Sequence, residues 1–316
     1  MADEKKDFSP YVISRNTSVD RFRIQKDEKD PEKKFPLGKF NFQSIINFGS
    51  RTPNCYEKCK LIGVKGVILN HPDTIPLASD KLTCKRRLIN AKVPTPKFQL
   101  PGELELSKEG VQGLRLTFPI VAKLRHGSGG EGMFVLHDVK EVNKFFGDTK
   151  SDLLREYFFE EVFQEDLKKS YEFRISVSPL LYMKRMHYDN KAFNTLSGEI
   201  VVLRKLMKQE AVESGGFGRN IALGNSYFTR TFERLMSKNS KRMDIEDAIS
   251  IAIEACNACE LDFGAVDMLW DSQTGTWTVL EINTAPSMGD ENSAGYTAER
   301  WRIALREMLL EKKKLQ

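Results

Sequence analysis

The chain has 316 residues, a length that corresponds to about two domains. Its composition, 40% hydrophobic and 29% charged, excludes a disordered or fibrous protein. No apolar run reaches the roughly 20 residues of a membrane-spanning helix, and the charged start MADEKKDFSP is unlike a secretory signal peptide. The formal net charge of +5 permits an anionic substrate but indicates neither nucleic acid nor a membrane as a partner. Five unevenly spaced cysteines predict reduced thiols and a cytoplasmic location.

Charge and apolar runs divide the first part of the chain from the rest. Residues 1–40 are rich in both signs of charge and poor in apolar side chains, which is typical of a solvated or flexible arm. The apolar runs 42–48 and 61–69 predict buried strands of a small α/β unit. Further on, the segment 157–163 and the segment that begins at Tyr171 are also predicted to be extended.

Three helices are predicted from capping residues and apolar periodicity. Asp80 or Ser79 is the expected N-cap of a helix that runs to about residue 91, where the prolines of VPTP end it. A short helix is expected over 139–146, and Asp244 is expected to cap a longer amphipathic helix. The apolar face of this last helix is predicted to hold Ile245, Ala248, Ile249, Ala252, Ile253 and Cys256.

A glycine-rich stretch, FPIVAKLRHGSGGEGMFVL, contains the spacing G-x-G-x-x-G. Its flanks predict strand, loop and strand, whereas a Rossmann loop precedes a helix and a Walker A loop ends in Gly-Lys-Ser/Thr. A protein kinase is disfavoured because Lys123 precedes the loop and no H-R-D-x-x-x-x-N segment lies upstream of Asp262-Phe263-Gly264. Two interpretations stay open at this point, a phosphate-binding glycine hairpin and a mobile surface hairpin.

Two strands near the carboxyl end carry acidic side chains that we expect to meet. A hairpin centred near residue 274 places Asp267 opposite Glu281, and Asn283 shares the face of Glu281 because residues two apart point the same way. Carboxylates directly across from each other repel unless a cation neutralises them, and Mg²⁺ prefers carboxylate and amide oxygens. The alternative is a solvent-facing sheet edge. The apolar residues Ala265, Leu269 and Val279, expected on the same face, disfavour that alternative.

Three motifs in order resemble the ATP-grasp superfamily, and among its members the carboxylate–amine ligases that include ribosomal-protein glutamate ligases, glutathione synthetases and D-alanine–D-alanine ligases. They are SDKLTCKRRLINAKVPTPKF, FPIVAKLRHGSGGEGMF and DFGAVDMLWDSQTGTWTVLEINTAPSMG. The resemblance extends over roughly 77–289. The resemblance implies an α/β (α+β) ATP-grasp fold, in which two α+β subdomains clasp ATP. The corresponding segments here are an arm (1–40), a short N-terminal unit (41–78), a central subdomain with the glycine hairpin (79–156) and a C-terminal subdomain with the metal site (157–316).

The resemblance also implies roles for individual residues. ATP phosphates would be bound by Lys81 and Lys123, under a lid of Ser128, Gly129 and Gly130. The adenine would be read by Glu160 and the Phe163 backbone, and the ribose by Glu172. One or two Mg²⁺ or Mn²⁺ ions would be bound by Asp267, Glu281 and Asn283. The transferred phosphate or the substrate carboxylate would be bound by Arg174, Lys184 and Arg185.

The activity implied by the resemblance is ATP-dependent ligation. A small-molecule or peptide carboxylate is activated as an acyl phosphate and joined to an amine, with release of ADP and phosphate. Two alternatives are a nucleotide-binding regulatory module without turnover and a kinase-like phosphotransferase. The first would bind ATP without releasing ADP, and the second would leave a stable phosphorylated product.

Overall fold

The computed structural model describes residues 11–14, 44–49, 67–107, 110–127, 132–161, 170–180, 200–206, 245–271, 274–285, 305 and 307–315. Within these ranges the chain forms helices and three main sheets, as expected for an α+β protein. The first sheet is parallel, in the order β1-β2-β3, with β1 Tyr11–Ser14, β2 Ser44–Phe48 and β3 Val67–Leu69. The buried side chains of Ile45, Ile46 and Leu69 explain why these apolar runs form strands. Residue 61, the predicted start of the second run, lies outside the described residues.

Two consecutive helices follow the parallel sheet. Helix α1 is Ile75–Ser79 and helix α2 is Lys81–Asn90. Asp80 is the N-cap of α2, as predicted, and its side chain accepts hydrogen bonds from the backbone N–H groups of Leu82 (3.1 Å) and Thr83 (3.4 Å). Because a side-chain oxygen satisfies otherwise unpaired donors, this cap fixes the residue at which α2 begins.

The second sheet carries the glycine hairpin. Its order is β4-β9-β7-β8, all antiparallel, with β4 Phe98–Gln99, β7 Ile120–Leu124, β8 Phe134–Leu136 and β9 Tyr157–Glu161. A two-stranded sheet of β5 Glu105–Ser107 and β6 Gly110–Gln112 lies beside it, and helix α3, Val139–Asp148, packs against both. Their shared core contains Ile120, Ala122, Val142, Phe145 and Phe159. A short helix α4, Ser151–Leu154, leads into β9.

The third sheet holds the predicted metal hairpin. Its order is β11-β10-β12-β13, with β10 Ser170–Val177, β11 Ile200–Leu206, β12 Gly264–Asp271 and β13 Thr276–Asn283. Helix α5, Ile245–Ala258, packs against this sheet. Its predicted apolar face is confirmed for the side chains that the structure describes, Ala248, Ile249, Ala252, Ile253 and Cys256, which lie in one core with α1 and α2. The predicted cap Asp244 lies outside the described residues.

The chain's last described helix spans residues 307–314, and its Lys312 pairs with Asp262 at 2.5 Å. Asp262 lies two residues before the start of β12, so this pair ties the last described helix to the third sheet. None of the described helices combines the length and apolar character that crossing a membrane requires.

Candidate active site

The start of helix α2 is joined to the base of the glycine hairpin. Asp80 forms an ion pair with Arg125, with 2.5 Å between Oδ2 and Nη2, and the backbone N–H of Lys81 donates to the Arg125 carbonyl at 3.1 Å. Arg125 directly follows β7, so these contacts hold Lys81 beside the strand that carries Lys123. Burial raises the pKa of Asp80, but hydrogen bonds from Arg125 and Thr83 outweigh it and hold that pKa below its ordinary value.

The hairpin of β12 and β13 has the predicted pairing at its acidic end. Asp267 pairs with Glu281, and Ala265 pairs with Asn283. Nearer the turn, however, Met268 pairs with Val279, so one residue of β13, Leu280, is extra. This β-bulge is what brings Glu281 opposite Asp267, because a bulge re-aims the side chains that follow it.

The same bulge corrects one sequence-based expectation. Val279 was expected on the face of Asp267, but it packs with Met268 and Trp270 in the core below the sheet. The period of two breaks at the bulge, so residues on its two sides point to opposite faces. The other two expected apolar neighbours of Asp267, Ala265 and Leu269, are buried on its own strand at the same two-residue spacing.

The two paired carboxylates have different environments. Asp267 is 2% exposed, whereas the side chain of Glu281, on the edge strand β13, is 45% exposed. Lys81 Nζ lies 3.5 Å from Glu281 Oε2, and Asn283 Oδ1 accepts the backbone N–H of Ala285 at 3.0 Å. The structure therefore brings together the first predicted phosphate-binding lysine and the predicted metal ligands.

The donor set fits a hard divalent cation. It consists of two carboxylates and one amide oxygen, the ligand types that Mg²⁺ takes alongside phosphate oxygens. Two carboxylates placed opposite each other repel, and a cation bound between them would lower that repulsion. Within the described residues no group of three His, Cys, Asp or Glu side chains is arranged to hold a metal. The third ligand of the predicted set is an asparagine, so that finding leaves the assignment of the metal ligands a prediction.

A buried cluster of charges lies at the other end of the site. Glu160, on β9, accepts from Lys123 Nζ at 2.5 Å and is paired with Lys85 Nζ at 2.8 Å. Lys85 Nζ also donates to Thr95 Oγ1 at 2.7 Å, and Thr95 Oγ1 donates in turn to the Val279 carbonyl at 2.9 Å. A chain of polar contacts thus connects β9 with the strand that bears Glu281.

The charge state of this cluster follows from its composition. Burial raises the pKa of Glu160, but the two neighbouring ammonium groups of Lys123 and Lys85 outweigh it, and the net shift is downward. Burial lowers the pKa of Lys85, and the charge of Glu160 opposes that shift. The lowered pKa favours the ionised form of Glu160, which lies between the side chains of Lys123 and Lys85.

The remaining predicted site residues divide into two groups. Arg174 pairs in register with Asp267, and Glu172 pairs with Leu269, so the backbone of β10 places both beside the metal hairpin. The other group lies outside the described residues, and its roles stay predictions: Ser128, Gly129, Gly130, Phe163, Lys184 and Arg185.

The parallel sheet approaches the site from the side of Asn283. Gly49, directly after β2, has a φ of +71°, and a Cβ atom placed on it would lie 2.9 Å from the Cβ of Ala285. Ala285 follows Asn283 by two residues. The carboxyl end of a parallel strand, where open α/β sheets bind ligands, thus abuts the end of the metal strand.

Sequence reasoning missed Lys85, Thr95 and Arg125. A signal existed for Lys85, since residues four apart lie on one face of a helix, and Lys85 follows Lys81 at that spacing. Arg125 and Thr95 carry no comparable pattern, because their partners are distant in sequence. Cys256 and Cys259, a C-x-x-C pair, are buried core residues.

Comparison with known proteins agrees with this geometry. Residues 78–170 match the family model of the RimK-like ATP-grasp domain. The structure is similar to D-alanine–D-alanine ligase from Bacillus anthracis complexed with ATP, with a TM-score of 0.52 and 14% sequence identity over 92% of this chain and 84% of that one. The chain has an ATP-grasp fold. The predicted fold class, an α+β ATP-grasp fold, is confirmed.

Curated proteins match the ATP-grasp chain over about a third of its length. The large chain of carbamoyl phosphate synthase from Brucella suis is 28% identical over 116 residues, which are 35% of this chain and 10% of that protein. Biotin carboxylase 1 from Populus trichocarpa is 31% identical over 100 residues, 30% of this chain and 18% of that protein. The chain thus matches only a tenth to a fifth of the length of these relatives.

Proposed function

We propose that this ATP-grasp protein is an ATP- and Mg²⁺-dependent ligase that activates a carboxylate as an acyl phosphate and joins it to an amine. The fold, the match to a RimK-like ATP-grasp domain and the similarity to a ligase complexed with ATP support ATP-dependent ligation in general. The type of bond, an amide or peptide bond, follows from the resemblance of the three motifs to carboxylate–amine ligases.

One observation carries the proposal. Lys81 Nζ lies 3.5 Å from Glu281 Oε2, and Glu281 pairs with the buried Asp267. A lysine at a helix start and two carboxylates on neighbouring strands are far apart in sequence, and they meet where helix α2 packs against β13. Their meeting suits a triphosphate, whose oxygens take one cation from the lysine and a second from a metal bound to the carboxylates.

The residues have complementary tasks in this proposal. Lys81, at the start of helix α2, and Lys123, on β7, bind phosphate oxygens. Asp267, Glu281 and Asn283 would hold the divalent cation, and that cation would supply positive charge beside the transferred phosphoryl group. Glu160 lies on β9, the strand that leads to the predicted adenine-binding segment. Arg174, beside Asp267 in register, would bind the transferred phosphate or the substrate carboxylate.

The reaction has two displacements. A carboxylate oxygen attacks the γ-phosphorus of ATP, ADP leaves, and an amine then displaces phosphate from the acyl carbon and loses a proton. The chain's lysines stabilise negative charge in the first displacement, and the glycine hairpin between β7 and β8 would exclude water from the acyl phosphate. The acid and the amine are expected near the carboxyl end of β2, where Gly49 packs against Ala285 just after Asn283.

The test is release of ADP and phosphate from MgATP in the presence of panels of amino acids, peptides and small amines. We expect release only when a matching acid and amine are both present. Glu281→Gln should lower this rate by about a hundredfold or more, because it removes a metal ligand that stabilises the transition state. Glu260→Gln, which removes an exposed carboxylate paired with Arg87, is the matched control and should keep the wild-type rate.

Two results would contradict ligation. Tight MgATP binding with no ADP release from any pair of substrates would favour a regulatory module. A stable phosphorylated product without free phosphate would indicate a phosphotransferase. An unchanged rate in Glu281→Gln would remove the metal assignment.

A further inference from the structure

Lys85 is a buried charge that the proposed ligase mechanism does not use. Its residue exposure is 2%, and its ammonium group contacts Glu160 Oε2 at 2.8 Å and Thr95 Oγ1 at 2.7 Å. The Thr95 hydroxyl proton is committed to the Val279 carbonyl, so Thr95 acts as an acceptor toward Lys85. Both contacts are acceptors, as an ammonium group requires.

The two lysines that flank Glu160 differ in their freedom to move. The side chain of Lys123 is 16% exposed and makes its contact with the other carboxylate oxygen, Oε1. The side chain of Lys85 is 3% exposed and is held by Thr95 as well as by Glu160. Lys123 can therefore turn away from Glu160 toward the solvent side, whereas Lys85 cannot.

We propose that Lys85 is a positioning residue that serves as the permanent counter-ion of Glu160, so that Lys123 is free to transfer its charge to the phosphates of ATP. This inference rests on the proposed function, because it takes Lys123 as a phosphate-binding residue. It assigns to Lys85 an effect on nucleotide binding without contact with the nucleotide.

The argument is one of charge balance in a buried place. With two ammonium groups around one carboxylate, the departure of Lys123 leaves a paired Glu160 behind. Without Lys85, Lys123 would be the sole counter-ion of a carboxylate that is 2% exposed. Moving it away would then leave an unpaired charge in a buried place, which is strongly unfavourable. Glu160 would avoid part of this cost by taking up a proton.

The groups that face Glu160 are few among the described residues. Lys123 comes from β7 and Lys85 from α2, and the Cys84 thiol lies next to Lys85 on the same helix. Phe98 on β4 and Val121 on β7 are its neighbours in the sheet and do not titrate. Proton uptake on ATP binding that is lost when Glu160 is replaced by glutamine therefore reports on Glu160.

The experiment measures MgATP binding by calorimetry at pH 7 in two buffers of different ionisation enthalpy, which gives affinity and proton uptake together. Wild type, Lys85→Met, Lys85→Arg and the double variant Lys85→Met with Glu160→Gln are compared. Lys85→Met should bind MgATP about tenfold or more weakly and take up a fraction of a proton beyond wild type, with affinity rising as the pH falls. Lys85→Arg keeps the charge and should show no added uptake. The double variant has no buried carboxylate to neutralise and should also show none.

Each outcome has a distinct meaning. A purely structural role for Lys85 would alter stability or affinity in Lys85→Met but would not change the number of protons taken up on MgATP binding. The same proton uptake in Lys85→Met as in wild type therefore overturns the inference. Lys85→Gln keeps hydrogen-bond donors and removes the charge, and it gives the same comparison if Lys85→Met does not fold. Wild-type protein that binds no MgATP would overturn the proposed function and, with it, this inference; wild-type binding with unchanged variants overturns the inference alone.

Discussion

The two ends of the candidate site are built from ion pairs of opposite character. At the metal end, Lys81 and Glu281 are 3.5 Å apart, with side chains 18% and 45% exposed. At the nucleotide end, Lys85 and Glu160 are 2.8 Å apart, and both side chains are 3% exposed. Water screens the first pair and allows its members to separate, while the second pair is held by the large cost of separating charges in a buried place.

This difference suits the two ends to different tasks. A pair that separates easily can release its lysine to a phosphate and its carboxylate to a metal, because each loses little when it changes partner. A buried pair instead fixes the position of a strand and the charge of its neighbours. The loosely held Lys81 and Glu281 are thus proposed ligands, whereas the tightly held pair of Lys85 and Glu160 sets the charge around Lys123.

The largest expected effect is on the free energy of unfolding, at the nucleotide end of the site. Glu160→Gln leaves the Lys85 ammonium group buried without a counter-charge, so we expect a loss of about 3–5 kcal/mol in the free energy of unfolding. Urea denaturation measures it. Glu161→Gln is the matched control, because Glu161 is the next residue along β9. The Glu161 carboxylate is 20% exposed and accepts the Thr117 N–H, so this variant should lose about 1 kcal/mol in the free energy of unfolding.

The double variant sharpens this prediction. Lys85→Met with Glu160→Gln removes both buried charges, and it should recover most of the stability lost in the single variant because the uncompensated ammonium group is gone. If Glu160→Gln lost less free energy of unfolding than the Glu161→Gln control, water would have to reach this cluster. The contrast between the two ends of the site would then not hold.

An intermediate effect is expected at the junction of helix α2 and the glycine hairpin. Asp80→Ala removes both the helix cap and the ion pair with Arg125, a loss of about 2 kcal/mol. Asp138→Ala is the matched control, because Asp138 caps helix α3 by accepting the Glu141 N–H, and its loss should be about 1 kcal/mol.

The contribution of Asp80 should depend on pH with a definite sign. Its pKa in the folded protein lies below the ordinary value of 3.8, so its stabilisation is fully present above that value and is lost as the pH falls through the folded pKa. The difference in unfolding free energy between wild type and Asp80→Asn, measured from pH 7 downward, should therefore be constant to about pH 4 and then shrink. A difference that grows on acidification would contradict the assignment of the ion pair.

Sequence alone predicted the elements that carry periodic or capping signals. Helix α2 with its Asp80 cap, the apolar face of α5 and the pairing of Asp267 with Glu281 follow from spacing and side-chain chemistry, and the structure confirms them. The bulge at Leu280 could not be predicted, because a bulge is one unpaired residue and leaves no pattern in a short strand. Its consequence, the burial of Val279 on the opposite face, was missed for the same reason.

The polar cluster around Glu160 was beyond sequence reasoning for a different reason. Glu160 was assigned to the adenine because of its place in the family motif, and no local pattern connects it with Lys85 or Thr95. These residues come from three elements, β9, α2 and the segment after α2, and only the packing of the sheets brings them within hydrogen-bond distance. Long-range polar contacts depend on tertiary structure, whereas caps and periodic faces depend on neighbours in the chain.

The smallest expected effect is on stability at the metal end, and it is the most informative about function. Glu281→Gln should change the free energy of unfolding by less than about 1 kcal/mol, because its pair with Lys81 is screened by water. The same variant should lose Mg²⁺-dependent ATP binding, which calorimetry with and without Mg²⁺ measures. Glu260→Gln breaks a similarly exposed pair with Arg87. It should have the same free energy of unfolding as Glu281→Gln but should keep Mg²⁺-dependent ATP binding. If Glu281→Gln instead destabilised the protein as strongly as Glu160→Gln, the carboxylate would have a structural role, and the loose pair at the metal end would no longer explain how Lys81 is released to a phosphate.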